Sequence, residues 1–200
     1  EAMQVHNEWT FSEFLQLYTK SSTLSEYLNS LTEQLHEWSG CQNIGIRILD
    51  VQGYIPFESS KGFCSGFMKS ENWLSVQHDS CFCIRAFTDG FDKIDKKALT
   101  SGGSLFLRNV AEFIGQLSEE EKKNYRGVCA LFGYATLLVV PVRNNGTVIC
   151  TIQISDERPD NIPEQFVEFL EHIAPFLGES VHRFQLETVL QRNLDTQKFL

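Results

Sequence analysis

The chain has 200 residues, a formal net charge of −9, a pI near 5.0, 42% hydrophobic residues and 16 phenylalanines. That is enough apolar material for a full-sized core, in one domain with extensions or at most two small ones. Lysines and arginines are scattered rather than gathered in a phosphate-tracking stripe, and no apolar run approaches the length of a bilayer, so neither nucleic acid nor membrane is an expected partner.

No secretory leader is recognisable. Six cysteines in a chain this long and helical do not read as a disulfide scaffold, so a reducing, cytoplasmic setting is expected.

Helix starts are legible from capping patterns. Thr10-x-x-Glu13 opens a short helix with Phe11, Phe14, Leu15 and Tyr18. Thr23-x-x-Glu26 opens a longer one in which Leu24, Leu28, Leu31, Leu35 and Trp38 share a face until Gly40 ends it. Ile44, Ile46 and Ile48 alternate with Gly45, Arg47 and Leu49, the period of a strand, and a second strand over Tyr54 to Ser59 closes a first hairpin. Residues 60–80 read as a loop with a short helix, and Cys81 to Phe87 as a third strand. Residues 88–117 form a long excursion over the sheet, an insertion of the kind that is functional or carries short helices of its own.

Ser118-x-x-Glu121 starts a helix placing Tyr125, Val128, Cys129 and Phe132 on one side, with Gly133 as its stop. Across residues 134–155 two β-rich runs flank Asn144-Asn145-Gly146, and Asn-Gly supplies the positive φ angles of a tight hairpin. Pro163 suits the first turn of a last helix whose core face is Phe166, Phe169, Leu170, Ile173 and Leu177, and Pro175 should kink or interrupt it. Beyond it Leu186, Val189, Asn193, Thr196 and Leu200 recur by threes and fours with two polar residues in the seam. That pattern reads equally as a dimeric connector to an output domain or as a solvated helix end.

The element order resembles the GAF domain over about residues 21–185. Lys61-Gly62-Phe63, Ser70-Glu71-Asn72-Trp73-Leu74-Ser75, Asp79-Ser80-Cys81-Phe82-Cys83-Ile84 and the segment from Arg126 to Tyr134 resemble the subgroup found in bacterial and archaeal sensor histidine kinases. The resemblance implies an α/β (α+β) fold. An antiparallel sheet of five or six strands would carry a helical bundle on one face and a ligand-enclosing excursion on the other. Residues 1–20 would be an N-terminal helical extension and residues 186–200 a connector helix. It further implies regulatory sensing of a small molecule, haem, a metal or redox state, an attached output domain, and a homodimer through the terminal helices. GAF domains bind cyclic nucleotides, tetrapyrroles, haem, iron centres and nitrate, so the family does not name the ligand. The single bilin-attaching cysteine beside histidine is not evident, and the cyclic-nucleotide signature is not matched.

In a strand, Cys81 and Cys83 would share one face, with Cys129 on the helix packed near it. Cys64 falls in the loop at the expected pocket mouth. These four are the candidate cofactor-binding residues. Cys81, Cys83 and Cys129, with Cys64 or with His78 beside Asp79, are candidate ligands for zinc or an iron–sulfur cluster, although the spacing is not the familiar paired Cys-x-x-Cys. Two other readings compete. The cysteines can be buried small hydrophobes, or thiols that sense oxidation, with Cys129 pairing to Cys81 or Cys83 more readily than those two to each other. Cys41 and Cys150 read as core.

Trp73, Phe82, Phe106 and Tyr134 are candidate pocket walls or plain core, and Arg85, Arg126 and Arg143 are candidate anion contacts or solvent-facing residues. No phosphate-binding loop, nucleophile elbow or zinc-protease helix is found, so the domain itself is expected not to be an enzyme. The alternatives are a cofactor-free dimerisation module whose pocket its own side chains fill, and a thiol-dependent reductase like the sulfoxide-reducing GAF enzymes.

Overall fold

The structure is a computed structural model and describes residues 10–198. Helices α1 (Phe11–Lys20) and α2 (Leu24–Ser39) begin where the capping residues put them. The Thr10 and Thr23 hydroxyls accept the Glu13 and Glu26 amides at 3.2 Å, satisfying donors that a helix start leaves orphaned. Strands β1 (Asn43–Ile48) and β2 (Phe57–Lys61) follow. The excursion then carries α3 (Ser65–Glu71), α4 (Phe82–Thr88), a 3-10 turn at Asp95–Ala98, β3 (Leu105–Leu107), α5 (Val110–Gly115), α6 (Glu119–Lys122) and α7 (Val128–Leu131). Strands β4 (Thr136–Asn144) and β5 (Thr147–Asp156) form the principal hairpin, and α8 (Glu164–Gln197) closes the fold.

The sheet has five antiparallel strands in the order β2-β1-β5-β4-β3. Asn144 pairs with Thr147 across a two-residue turn in which Asn145 (φ 50°) and Gly146 (φ 80°) are both left-handed, the geometry that fits the twist of a hairpin. One face of the sheet presents Ile44, Ile46, Ile48, Leu138, Val140, Val142, Cys150, Ile152 and Ile154 to α1, α2 and α8. Burying one such aliphatic side chain is worth about 1.5–3 kcal/mol, and this layer is the main store of stability. Helix α8 approaches β4 to backbone distance, since a Cβ on Gly178 would stand 2.0 Å from the Arg143 carbonyl oxygen. The opposite face is covered by the excursion over a second core that includes Ile55, Phe67, Leu74, Phe82, Leu105, Leu107, Leu137 and Val139.

Four sequence expectations are corrected. Cys81 to Phe87 is not a strand: Cys81 is the N-cap of α4, and every residue from Phe82 to Phe87 is buried, so the run carries no periodicity to distinguish helix from strand. The single helix expected after Ser118 is two short ones, because the backbone turns left-handed at Gly127 (φ 69°). Tyr54 makes only an isolated bridge to Ser75, and β2 starts at Phe57. Helix α8 runs unbroken through Pro175, which is solvent-exposed, so the hydrogen bond it cannot make to the Glu171 carbonyl is lost on the water side. Among the described residues no helix is long and apolar enough to cross a membrane.

Candidate functional site

Along β1 and β5 the residues that alternate with the isoleucines are, Gly45 apart, polar: Asn43, Arg47, Thr151, Gln153 and Ser155. Period-two alternation turns them all away from the helical bundle, yet each is buried, because the excursion closes over them. Arg47 is 1% exposed. Its Nε donates to Gln153 Oε1 at 3.2 Å, one terminal nitrogen donates to the Ile55 carbonyl at 2.7 Å, and its guanidinium lies 3.7 Å over the Phe57 ring. Among the described residues no carboxylate forms an ion pair with it. Burial pulls its pKa below the ordinary value, opposed first by Cys83 and then by Glu71. The Arg47 donor also fixes the Gln153 amide, oxygen toward the arginine and nitrogen away. Gln153 Nε2 is buried with no hydrogen-bond partner among the described residues.

Helices α4 and α7 bring the thiols to this polar patch. Cys81, Cys83 and Cys129 line one chamber with Arg47, Gln153, Glu71, Arg126 and Phe82. The chamber encloses about 10 Å³, room for one water-sized molecule. Cys83 Sγ donates to Gln153 Oε1 at 3.9 Å. The neighbouring Cys83 thiol, then the backbone amides of Arg126 and Cys83 and the Arg85 charge, draw the Cys81 thiol down to about 7 against the upward push of burial. Cys83 moves well up, through its contact with Cys81 and through burial. Burial first, then the proximity of Cys81 and Glu71, raises Cys129.

Two ion networks hold the chamber's lid. Arg126 grips Glu71 through Nε (3.1 and 3.2 Å) and a terminal nitrogen (2.8 Å), and its other nitrogen reaches Asp79 at 3.2 Å. Asp79 also accepts the Ser75 amide at 2.7 Å, so it orients Arg126 rather than His78, which is exposed. On α4, Arg85 pairs with the fully buried Asp95 at 2.5 and 3.1 Å and donates to the Asn124 carbonyl at 2.8 Å. The Tyr125 hydroxyl donates to the same carboxylate. Arg85 and Arg126 are therefore structural clamps, and Arg143 is spent on Asp89 at the surface.

The remaining sequence candidates separate. Cys64 is exposed at the N-cap of α3 and does not line the chamber. Phe82 lines it; Tyr134 packs on Phe67 (5.1 Å) on the same side of the sheet but stands outside the lining. Trp73 is 62% exposed beside Tyr54 and does not line the chamber. Phe106 falls on the bundle side, under the Arg108 guanidinium at 4.6 Å, because it alternates with Leu105 and Leu107 of the excursion-side core; there it lines a separate cleft of about 250 Å³ with Leu99, Arg108, Glu168 and Glu171. Cys41 and Cys150 are buried in the bundle-side core.

Haem does not fit a space of one water. Among the described residues no group of three or more His, Cys, Asp and Glu is arranged to hold a metal ion, so zinc and iron–sulfur clusters find no donor set either. Arg47 and Gln153 are the site residues that sequence reasoning passed over. The signal was present in the polar alternates of two neighbouring strands facing a long excursion.

Residues 23–181 match the sequence profile of the family described as GAF domain. No curated protein matches the chain. Among solved structures, a domain assigned to a two-component sensor histidine kinase from Sinorhizobium meliloti 1021 superposes with a TM-score of 0.60 at 18% identity, over 86% of this chain and 99% of that one. The GAF domain of an Acinetobacter phosphoenolpyruvate-protein phosphotransferase gives 0.63 at 15% identity, over 88% and 92%. Free methionine-R-sulfoxide reductase from Neisseria meningitidis, in complex with its substrate, gives 0.64 at 12% identity, over 88% of each chain. At these identities the likeness is one of fold.

Proposed function

We propose, since the chain belongs to the GAF family, that it is the regulatory sensing domain of a cytoplasmic signal-transduction protein, a sensor histidine kinase by preference, and that its input is thiol chemistry in the small chamber. The carrying observation is the convergence of Cys81, Cys83 and Cys129 on the buried Arg47. The chamber has room for a water-sized species, which favours a small oxidant over a larger metabolite as the input at this site. Oxidation there alters how α4 and α7 seat on the sheet. The sheet's other face carries α8, so the input reaches the helix that leads toward an output domain. Leu186, Val189, Leu190 and Leu194 are exposed on the last turns of α8 and supply the contact of a homodimer through terminal helices. The S. meliloti domain, named for a sensor kinase, supports the choice of host protein.

The test is hydrogen exchange on the reduced chain before and after hydrogen peroxide. Protection is expected to change in α4, α7 and α8 of the native sequence and to stay constant in Cys81→Ser. An exchange pattern indifferent to oxidant removes the proposal.

One observation favours a second reading. A chamber of about 10 Å³ is also what a cofactor-free dimerisation module would have once its own side chains filled the pocket. Sedimentation of an oxidant-insensitive dimer would establish it. Turnover of free methionine sulfoxide by the reduced chain would make it an enzyme instead.

A further inference from the structure

Gln153 Nε2 is a donor held in place by the Arg47 contact on the other atom of its amide, aimed into the chamber and left without an acceptor. A buried donor left unpaired is destabilising. Arg47 is a buried cation with no carboxylate on it, so the same corner favours electron density. Cys83 carries a single thiol proton, which reaches either Gln153 Oε1 at 3.9 Å or the neighbouring Cys81 sulfur. Cys81, at the mouth of α4, is the neighbouring sulfur left to act as nucleophile. The three cysteine residues are only 4–7% exposed, so a bulky oxidant is excluded and only a small one that enters the one-water space reaches the sulfurs.

We infer that Cys81 is an oxidation site, and that its product, a cysteine sulfenic acid, seats its single oxygen in the chamber against Gln153 Nε2. Such a site is the input of the thiol-based sensor proposed above and rests on that reading. The oxidant is a hydroperoxide, hydrogen peroxide being the smallest. The Cys81 thiolate attacks one peroxide oxygen; an S–O bond forms and the O–O bond breaks. Sulfur gives up two electrons to the peroxide, and the departing hydroxide takes a proton from solvent and leaves as water. One thiol and one peroxide become one sulfenic acid and one water. The new oxygen fills the one-water space, accepts from Gln153 Nε2 and lies near the Arg47 charge.

The fully reduced chain is treated with a small excess of hydrogen peroxide, unfolded rapidly in the presence of dimedone, which tags sulfenic acids, and mapped by peptide mass. The tag is expected at Cys81 in the native sequence and nowhere in the chamber of Cys81→Ser. In Gln153→Met, which removes the donor at similar volume, the yield is expected to fall about fivefold, the worth of one hydrogen bond. Gln153→Glu keeps the Arg47 contact in a nearly isosteric side chain and is expected to lower the yield further; it serves if the methionine variant does not fold. A yield unchanged in both variants overturns the role of Gln153. A disulfide from Cys81 to Cys83 or Cys129 with no trapped sulfenic acid overturns the oxygen site but leaves thiol sensing standing. No modification of any of the three thiols overturns both.

Discussion

On one side of β1 and β5, Ile44, Ile46, Ile48, Cys150, Ile152 and Ile154 meet the helical bundle; on the other, the alternate residues Asn43, Arg47, Thr151, Gln153 and Ser155 are buried just as deeply. The strands' bundle face follows the ordinary logic of a core, a layer of aliphatic side chains and one cysteine packed on the helices. The excursion face breaks that logic on the same strands. A buried arginine, an orphan amide nitrogen and three thiols are a poor way to gain stability, since each polar group must find partners to break even. Departure from local consistency of this kind is where function is expected to reside. One face holds the molecule together and the other is free to do chemistry because of it.

The comparison breaks first if the bundle face proves soft. Ile152→Ala, at a position with no solvent exposure, is expected to cost about 4 kcal/mol in urea unfolding, and a loss under about 1 kcal/mol would mean that this face is not the main store of stability. Next is the clamp that holds the excursion down. Asp95→Ala strands Arg85 and Tyr125 and is expected to cost about 3 kcal/mol, toward the low end for a broken buried pair because Asp92 stands 3.7 Å from Arg85 and takes up part of the charge. Hydrogen exchange should then quicken over residues 82–125 and leave α2 and α8 as they were.

Within the chamber, Arg47→Met deprives Gln153 Oε1 and the Ile55 carbonyl of a donor but also removes a buried charge. The net expectation is a loss of about 1–2 kcal/mol, with Arg47→Met/Gln153→Leu less destabilised than the sum of the two single variants in a double-mutant cycle. Additive losses would mean that the two side chains are not a unit.

The smallest effect is a pH dependence. The folded Cys81 thiol titrates near 7, below its ordinary 9.0. Its contribution to stability is therefore fully present above pH 9 and is lost as pH falls through 7. The raised thiol of Cys83 acts oppositely only above its own unfolded value, so the window from 7 to 9 belongs to Cys81. Unfolding free energy should rise with pH across that window in the native sequence and not in Cys81→Ser.

Much of the scaffold could be read directly. Thr10, Thr23 and Ser118 announce helix starts through local cap hydrogen bonds, and Asn145-Gly146 announces its turn through backbone preference alone. These are short-range effects that the sequence carries in full. The chamber was legible only as a set of cysteines. That Cys81 and Cys83 meet Cys129 was expected, but from a strand, whereas α4 delivers them, since a six-residue run buried on every side, Arg85 included, has no exposed side to reveal its period. Polar alternates such as Arg47 and Gln153 are also what the solvent face of a two-sided sheet carries. Only the fold of a distant segment over them, a long-range event, makes them interior. Trp73 was misplaced for the same reason, and Phe106 lines a different cleft from the thiol chamber, as aromatic character does not say which side of a chain is covered.

Helix α8 touches the sheet closely at Gly178 and is last buried at Phe184, after which its side chains face water. From Gly178 to Gln197 is about 28 Å of rigid rod at 1.5 Å per residue. With Gly178 as fulcrum, a tilt of about 5° carries the far end through roughly 2.5 Å, a displacement larger than the radius of the atom whose arrival would cause it. The glycine that lets backbone meet backbone thus sets the mechanical gain of the molecule.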